Sequence, residues 1–340
     1  MLLPRLKNDG IPELTLNTLQ REMKQQVEDK IKRNIYEFEE AYCIICSSSD
    51  SELIGEKDRY GFYYPTRICK SCGLIFTAPR MTQNSYNKFY NDEYRKLYNG
   101  TSVPSQQFFL NQYHKGSKIY DSITSHDLLN DGTSKFVLEV GCGAGGILQY
   151  FKQKGHTVKG IDLGDEYINF GRQEHGLDLT TGMLDTIQLD KLPDLIIYSH
   201  VLEHLLDIEK ELKLIKNISN ENTLIYIEVP GVKQIDKNYK MNILTYFQNA
   251  HTYHFTLTSL INLFNKHGFV PIYGDEYVRA VFKPGVSHSK EVNDFKPAVG
   301  YIKRLENLRH FYKFTPAYIK KTKLKRGVSK ILNLLRGKKN

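Results

Sequence analysis

Long apolar runs are missing from this chain of 340 residues: no uninterrupted apolar segment approaches the roughly 20 residues needed to span a bilayer. The first residues, MLLPRLKNDG, lack an apolar run followed by a small-residue cleavage site, so no secretory leader is expected. Internal repeats and low-complexity segments are absent too. These absences point to a soluble, cytoplasmic protein. The chain does hold 40% apolar and 12% aromatic residues, ample for a buried core and enough to argue against wholesale disorder. Its length allows one large domain or two to three small ones.

Acids are nearly absent from the end of the chain. From Tyr301 to Asn340 there are thirteen Lys/Arg and one acid, Glu306. That stretch is +12 in a chain of net charge +9, which leaves about −3 for residues 1–300. The basic character therefore belongs to a tail. Apolar residues such as Phe311, Phe314, Ile319, Ile331 and Leu334 are interleaved with its cations. This suits an amphipathic helix lying on an anionic membrane, at its inner face. It also suits nucleic acid. The plain alternative is a solvated, partly helical extension.

Cysteine is scarce outside one pattern. Cys43, Cys46, Cys69 and Cys72 form two C-x-x-C pairs with 22 residues between them, and only Cys142 stands apart. Four structural half-cystines do not suit a reducing cytosol. Paired knuckles supply four thiolates to tetrahedral Zn²⁺. With all four positions filled by protein, such an ion is structural. Gly73 follows Cys72, where a knuckle needs a residue tolerant of positive φ. Cys142 reads as a small buried residue.

Apolar residues from Leu16 to Phe38 recur at helical spacing and predict an amphipathic helix over about 14–39. Tyr60, Phe62, Tyr63 and Tyr64 look like strand. Residues 81–130 read as helices joining two domains, with a break near NGTSVPS. From Phe136 strands alternate with helices. The strand candidates are 136–140, 157–162, 179–181, 195–199, 223–229, 269–273 and 278–282. This predicts a mostly parallel α/β sheet with helices on both faces. The last two strands are joined by only GDEY, so they should be antiparallel. The expected segments are an N-terminal helix (1–40), a zinc module (41–80), a helical connector (81–130), an α/β domain (131–285) and a basic tail (286–340).

Within the α/β region lies EVGCGAGG, Glu139 to Gly146. A strand entering a glycine loop and leaving as a helix binds nucleotides. Gly141, Gly143 and Gly146 fit the dinucleotide spacing. Gly141, Gly143 and Gly145 equally fit the loop of S-adenosylmethionine (SAM) enzymes. Asp162, about 20 residues on, suits ribose hydroxyls in either case. Glu139 tips the balance, because it suits a cationic amino acid and would repel pyrophosphate. The fourth strand runs into YSHVLEHL, and seven strands with a reversed last hairpin differ from six parallel ones.

The pieces VLEVGCGAGGIL, VKGIDLGDEYI, DLIIYSHVLEHLLD and LIYIEVPG resemble class I SAM-dependent methyltransferases over about Lys135 to Lys283. The stretch CIIC…CKSCGLIFTAPRMTQNSYNKFYNDEY looks like the zinc-binding domain that precedes this core in sugar C-methyltransferase-like proteins. The resemblance implies a Rossmann-like seven-stranded sheet and a sugar acceptor, nucleotide-linked or part of a polysaccharide. It implies that Glu139, Gly141, Gly143 and Gly145 hold the methionine part of SAM and that Asp162 holds the ribose. Leu163, Met183 and Leu184 are implied to line the adenine slot, with Ser199 and His200 beneath the sulfonium. The segment QNAHTYHFTLTSL departs from the family, which often has two histidines flanking a glutamate. Only His251 matches; Asn249 and Ala250 replace the rest. Candidates for a general base are His251, the default, with His200, His254, Tyr253 and His204. Glu203 and His204 read as residues that cap or orient the loop.

Two other readings stand beside this one. An RNA methyltransferase would use the zinc module and basic tail for RNA, although the fourth strand of the α/β region ends in SHVLEH and not in Asn/Asp-Pro-Pro-aromatic. A non-enzymatic scaffold would use the cysteine module to bind a partner.

Overall fold

Asn17 and Gln20 start the first long helix, α1 (Thr18–Lys32), through a reciprocal capping box. The Asn17 side chain accepts from the Gln20 amide at 2.8 Å, and the Gln20 side chain accepts from the Asn17 amide at 3.0 Å. The computed structural model describes residues 1–100, 104–129 and 132–314. Helix α1 is shorter than the expected span of 14–39. Asn34 takes φ +55° just beyond its end, and Phe38 pairs with Met81 as strand. Leu16 and Tyr36 pack into the same small core from outside the helix, while Ile35 and Phe38, which carry the apolar period on, are exposed.

Strand β1 (Phe38–Glu39) leads to the cysteine region, which forms an antiparallel meander of β2 (Ser51–Lys57), β3 (Tyr63–Cys69) and β4 (Ile75–Thr77). Strand β3 begins only at Tyr63. The Asp58 carboxylate folds the preceding residues into a turn by accepting from the Tyr60 and Phe62 amides, each at 2.9 Å. β5 (Arg80–Met81) then pairs with β1. The connector is helical: α2 (Gln83–Phe89), a π turn (Tyr90–Tyr94), α3 (Arg95–Asn99) and α4 (Gln106–Thr124). Gly100, at φ +67°, ends α3 within the expected break.

Five parallel strands follow: β6 (Phe136–Val140), β7 (Thr157–Asp162), β8 (Leu179–Thr181), β9 (Leu195–Ser199) and β10 (Leu224–Glu228). Helices α5 (Gly146–Gln153), α6 (Asp165–His175) and α7 (Ile208–Asn217) connect them. Two short helices, α8 (Ile235–Asn238) and α9 (Ile243–Tyr246), precede β11 (Tyr253–His254) and α10 (Leu257–Lys266). The hairpin of β12 (Phe269–Asp275) and β13 (Arg279–Pro284) completes a seven-stranded sheet of order β12-β13-β10-β9-β6-β7-β8. β13 is antiparallel to both neighbours, since its link to β12 is too short for a crossover. This is the Rossmann-like seven-stranded sheet that the motifs implied.

Side chains alternate across the sheet with period two. Val137, Ile197 and Tyr226 face a core closed by α4, α5 and α6. Leu138, Ile196, Tyr198 and Ile225 face the other, closed by α7, α10 and the cysteine region, whose Cys69, Cys72 and Phe76 enter it directly. The cysteine region also takes a strand from far along the chain: β11 pairs with β4, Tyr253 opposite Phe76. The sequence pattern did not predict β11, a two-residue strand without periodicity. It sets the 251–254 segment against the N-terminal half.

The start of the expected tail is a packed helix, α11 (Phe295–Leu308). Its Ala298, Ile302 and Leu305 are buried beside Leu3 and Leu6, and Arg5 clamps Glu306 through two bonds of 2.6 and 2.9 Å. The solvated extension is therefore corrected for 295–308: an apolar stripe hidden among the cations found a core. Residues 315–340, with most of the tail's cations and its expected membrane or nucleic-acid contacts, lie outside the described residues. No helix among the described residues is long and apolar enough to cross a membrane.

Candidate active site

The glycine loop leaves the C-terminal end of β6. Gly141 sits at φ +72°, and a Cβ there would lie 2.3 Å from Val201 Cγ2, so only glycine fits. The Gly141 and Cys142 amides donate to Ile161 O at 2.7 and 3.1 Å, which ties the loop to β7. Gln112 of α4 steadies it from above by donating to Cys142 O at 3.0 Å. Cys142 itself is fully buried in the core.

Glu139 is 1% exposed, and its Oε2 has no hydrogen-bond partner among the described residues. Burial pushes its pKa well up; the charge of Lys115, on α4, opposes this and Asp162 adds to it. A buried carboxylate with an open oxygen is costly. The ammonium of a bound amino acid would satisfy it. Asp162, at the end of β7, accepts from the Gly143 amide at 2.9 Å, the Gly164 amide at 2.8 Å and Arg95 Nη2 at 2.7 Å. The Arg95 guanidinium also lies 4.1 Å from the Tyr167 ring centre. Beside Asp162 two large apolar side chains stay uncovered, Leu163 at 54% and Met183 at 50%, as a flat base would require. Leu184 turns into the core. Glycine loop, open carboxylate, ribose-type acid and apolar flanks all fit SAM.

On the next strand ends, Ser199 Oγ donates to Glu228 Oε2 at 3.3 Å. His200 follows at φ +59°, its side chain 38% exposed, with Nδ1 3.4 Å from Glu203 Oε1 and Nε2 3.8 Å from Glu228 Oε1. Burial and Lys115 act to lower the His200 pKa, but the two carboxylates prevail and raise it. Burial likewise acts to raise the pKa of Glu228, yet His200, Lys115 and Arg279 bring it to about 2.

Behind His200 lies a buried polar cluster assembled from four distant segments. Glu203 and His204 come from the turn after β9, His251 and His254 from around β11, Tyr90 and Tyr94 from the connector, and Asp58 and Arg59 from before β3. His204 Nδ1 meets Tyr90 OH at 2.5 Å and Ala250 O at 3.0 Å. Gln248 bonds both His251 and Arg59. His254 Nε2 meets Tyr64 OH at 3.1 Å. Burial lowers the pKa of all three histidines: His204; His251, well down, with His204 and His254 adding to the effect; and His254, to about 3. Burial lifts Asp58 to about 7 against the Phe62, Asn249 and Tyr60 amides and Arg59. Tyr90 stacks on Tyr94 at 4.2 Å and Tyr94 on Tyr98 at 5.7 Å. Tyr253 is turned away: its ring is in the core and its hydroxyl meets Arg80 at 2.8 Å and Leu206 O at 3.3 Å.

The four paired cysteines converge. Cys43 and Cys72 sulfurs are 3.3 Å apart and those of Cys46 and Cys69 are 3.4 Å apart, with all four within 4.8 Å of one another and none in a disulfide. Both knuckles have one geometry. The residue after the second cysteine is left-handed, Ser47 at φ +58° and Gly73 at φ +86°, and its amide donates to the first cysteine's carbonyl at 2.8 and 2.9 Å. A Cβ on Gly73 would also meet the Asp294 backbone at 2.5 Å. Four thiols at such separations suit a tetrahedral ion of about 2.3 Å Zn–S bonds.

Sequence reasoning missed Arg95, Lys115, Arg59 and Glu228. A signal for the connector was present: Tyr86, Tyr90, Tyr94 and Tyr98 recur every fourth residue, one face of a helix.

Residues 114–273, a little under half of the chain, match the model of a methyltransferase domain family. A protein of Staphylococcus carnosus described as an uncharacterized methyltransferase is 25% identical over 123 residues; the match covers 35% of this chain and 58% of that relative. Among solved structures, a SAM-dependent methyltransferase from Clostridium acetobutylicum is 14% identical. That match covers 59% of this chain and 99% of the other, with a TM-score of 0.41. An amino pentose methyltransferase from Micromonospora echinaspora, solved with SAM, is 13% identical, covering 54% and 99%, with a TM-score of 0.39.

Proposed function

We propose that this chain transfers a methyl group from SAM to a small polar acceptor, a free, nucleotide-linked or polysaccharide sugar. Zinc would be held by Cys43, Cys46, Cys69 and Cys72 as a structural ion that locks the meander against the sheet. One observation carries the reading: the buried Glu139 carboxylate keeps an open oxygen at the glycine loop, one strand from Asp162. The sugar assignment draws on the resemblance of the cysteine region. It draws also on the neighbouring cluster, where carboxylates and imidazoles suit hydroxyl groups and stacked tyrosines suit the apolar face of a pyranose.

Bound SAM supplies an electrophilic methyl. Glu139 holds the ammonium, Asp162 the ribose hydroxyls, and Leu163 and Met183 flank the base. His200 is the base candidate whose side chain reaches out of the core at the strand ends. With Glu203 and Glu228 on either side, its pKa is drawn up towards working pH, where a general base is most effective. It would take the acceptor's proton at Nε2, and ionised Glu228 would steady the imidazolium. His254 stands behind as a neutral hydrogen-bonding group.

Calorimetric titration with SAM tests the cofactor: saturable binding is expected, and tight NAD binding with no response to SAM sinks the reading. Mass spectrometry of cell sugars with and without the gene tests the acceptor. A methylated sugar should vanish on deletion; loss of an RNA methyl group with sugars unchanged would overturn the acceptor class. Restoring the gene with His200→Asn should leave SAM affinity intact but lower turnover by about 10²–10⁴.

A further inference from the structure

Glu203 takes no part in the cradle for SAM. It is 1% exposed, and neither carboxylate oxygen makes a hydrogen bond among the described residues. Besides His200 Nδ1 at 3.4 Å, two further ring nitrogens face its Oε1, His251 Nε2 at 3.8 Å and His204 Nε2 at 3.9 Å. Both are beyond hydrogen-bond length. They are close to the separation of two ligands that share one ion, about 3–3.5 Å for metal bonds of 2.0–2.2 Å. One ligand atom from each of the three residues falls within 4.8 Å of the other two.

The imidazoles are oriented for this. His204 Nδ1 meets the Ala250 carbonyl at 3.0 Å, which requires the proton on Nδ1 and leaves the Nε2 lone pair towards Glu203. The Tyr90 hydroxyl oxygen, 2.5 Å from the same nitrogen, shares that N–H as a second acceptor. His251 Nε2 accepts from the Gln248 amide nitrogen, which marks it as unprotonated, and an ion would take that lone pair in place of the Gln248 amide; its Nδ1 has no partner among the described residues. Two neutral imidazoles and one carboxylate, each ring turned by a backbone or amide group, form the donor set of a His₂-carboxylate metal centre.

We propose that Glu203, His204 and His251 bind a divalent first-row transition ion, of which zinc is the natural probe, at a centre with open coordination positions. Hard ions such as Mg²⁺ prefer oxygen, so two imidazoles exclude them. The ligand set shares no residue with the four cysteines. Where the cysteines would saturate an ion, three ligands leave room for an oxygen of the acceptor, on the side where His200 stands with its Nδ1 3.4 Å from Glu203. That last role rests on the proposed methyltransferase reading; the metal centre itself does not.

The test is a metal count on the full chain after incubation with excess Zn²⁺ and gel filtration, by elemental mass spectrometry. Wild type should hold two zinc ions, and Glu203→Gln and His251→Gln should each hold one. Titration of the zinc-loaded wild type depleted at the weaker site supplies a measurement independent of variant folding. Co²⁺ should then add visible d–d bands without the ultraviolet thiolate charge transfer of a cysteine site. SAM calorimetry on the same samples separates this proposal from the preceding one, since Glu203 does not touch the cradle. A wild-type count of one, variants that keep the full count, or cobalt bands that appear only with thiolate charge transfer would each overturn the second centre.

Discussion

The cradle around Glu139 and the cluster around Glu203 both bury acids on one end of the same sheet, but they are built differently. The cradle comes from strand ends and the loops directly attached to them. Its key geometry is backbone geometry: glycines at positive φ and amides that point at Asp162. The cluster comes from side chains up to 190 residues apart, such as Tyr64, whose hydroxyl meets His254 Nε2 across 190 positions. A site made of local backbone tolerates change around it as long as its turn survives. A site made of converging side chains depends on every element that delivers one.

That contrast can be broken at the cradle alone. Gly141→Val forces a Cβ into the Val201 side chain at a φ that β-branched residues avoid. SAM binding should fall by more than about 100-fold, equivalent to roughly 3 kcal/mol, while zinc content is unchanged. Calorimetry and a metal count on the same sample decide it. If both were lost together, the two regions would fold as one unit.

The cluster can be perturbed alone at Asp58. Its pKa is raised by burial, from the ordinary value of about 3.9 to about 7. A raised pKa means that the folded state holds the proton longer than the unfolded chain. The stability it contributes is therefore full below about pH 4 and is lost as pH rises towards 7. Asp58→Asn should flatten the stability curve in that window by up to about 1.4 kcal/mol per pH unit. Denaturant melts at pH 4.5, 5.5 and 6.5 check this, and parallel slopes for the two proteins would refute it.

The smallest expected effect is at the bridge between the regions. Arg95 comes from the connector yet pairs with Asp162 of the cradle at 2.7 Å. It places a cation beside the site proposed for a cationic ligand. Arg95→Ala should tighten SAM binding a few-fold, about 0.5–1 kcal/mol for a partly exposed pair, and more so at low salt. Weaker binding would mean that Arg95 helps to hold the ligand.

Much of this was legible in the sequence. Every strand of the large sheet was placed within a residue or two, because strands buried on both faces read as short apolar runs between helical stretches, a local signal. The knuckles were legible because C-x-x-C with a left-handed residue after it is a backbone device four or five residues long. Helix α1 was overrun because Leu16, Ile35 and Phe38 continue its apolar spacing although all three lie outside it, Ile35 and Phe38 on the surface. The packed face of α11 was hidden by the cations around it. Arg95, Lys115 and Arg59 gave no signal, since a lone cation on a helix or loop looks the same whether it meets solvent or a buried acid.

The sequence by itself determined the glycine loop, the strand ends that carry Glu139 and Asp162, and the cysteine pairs, all of them patterns that short-range sterics and burial impose on neighbouring residues. Only the tertiary structure decided that β11 joins the cysteine meander, that Arg95 crosses to Asp162, and that Glu203 ends up buried among His200, His204 and His251. Those outcomes depend on how elements far apart in the chain pack onto one sheet. That packing is set by the summed fit of two cores rather than by any stretch that can be read alone.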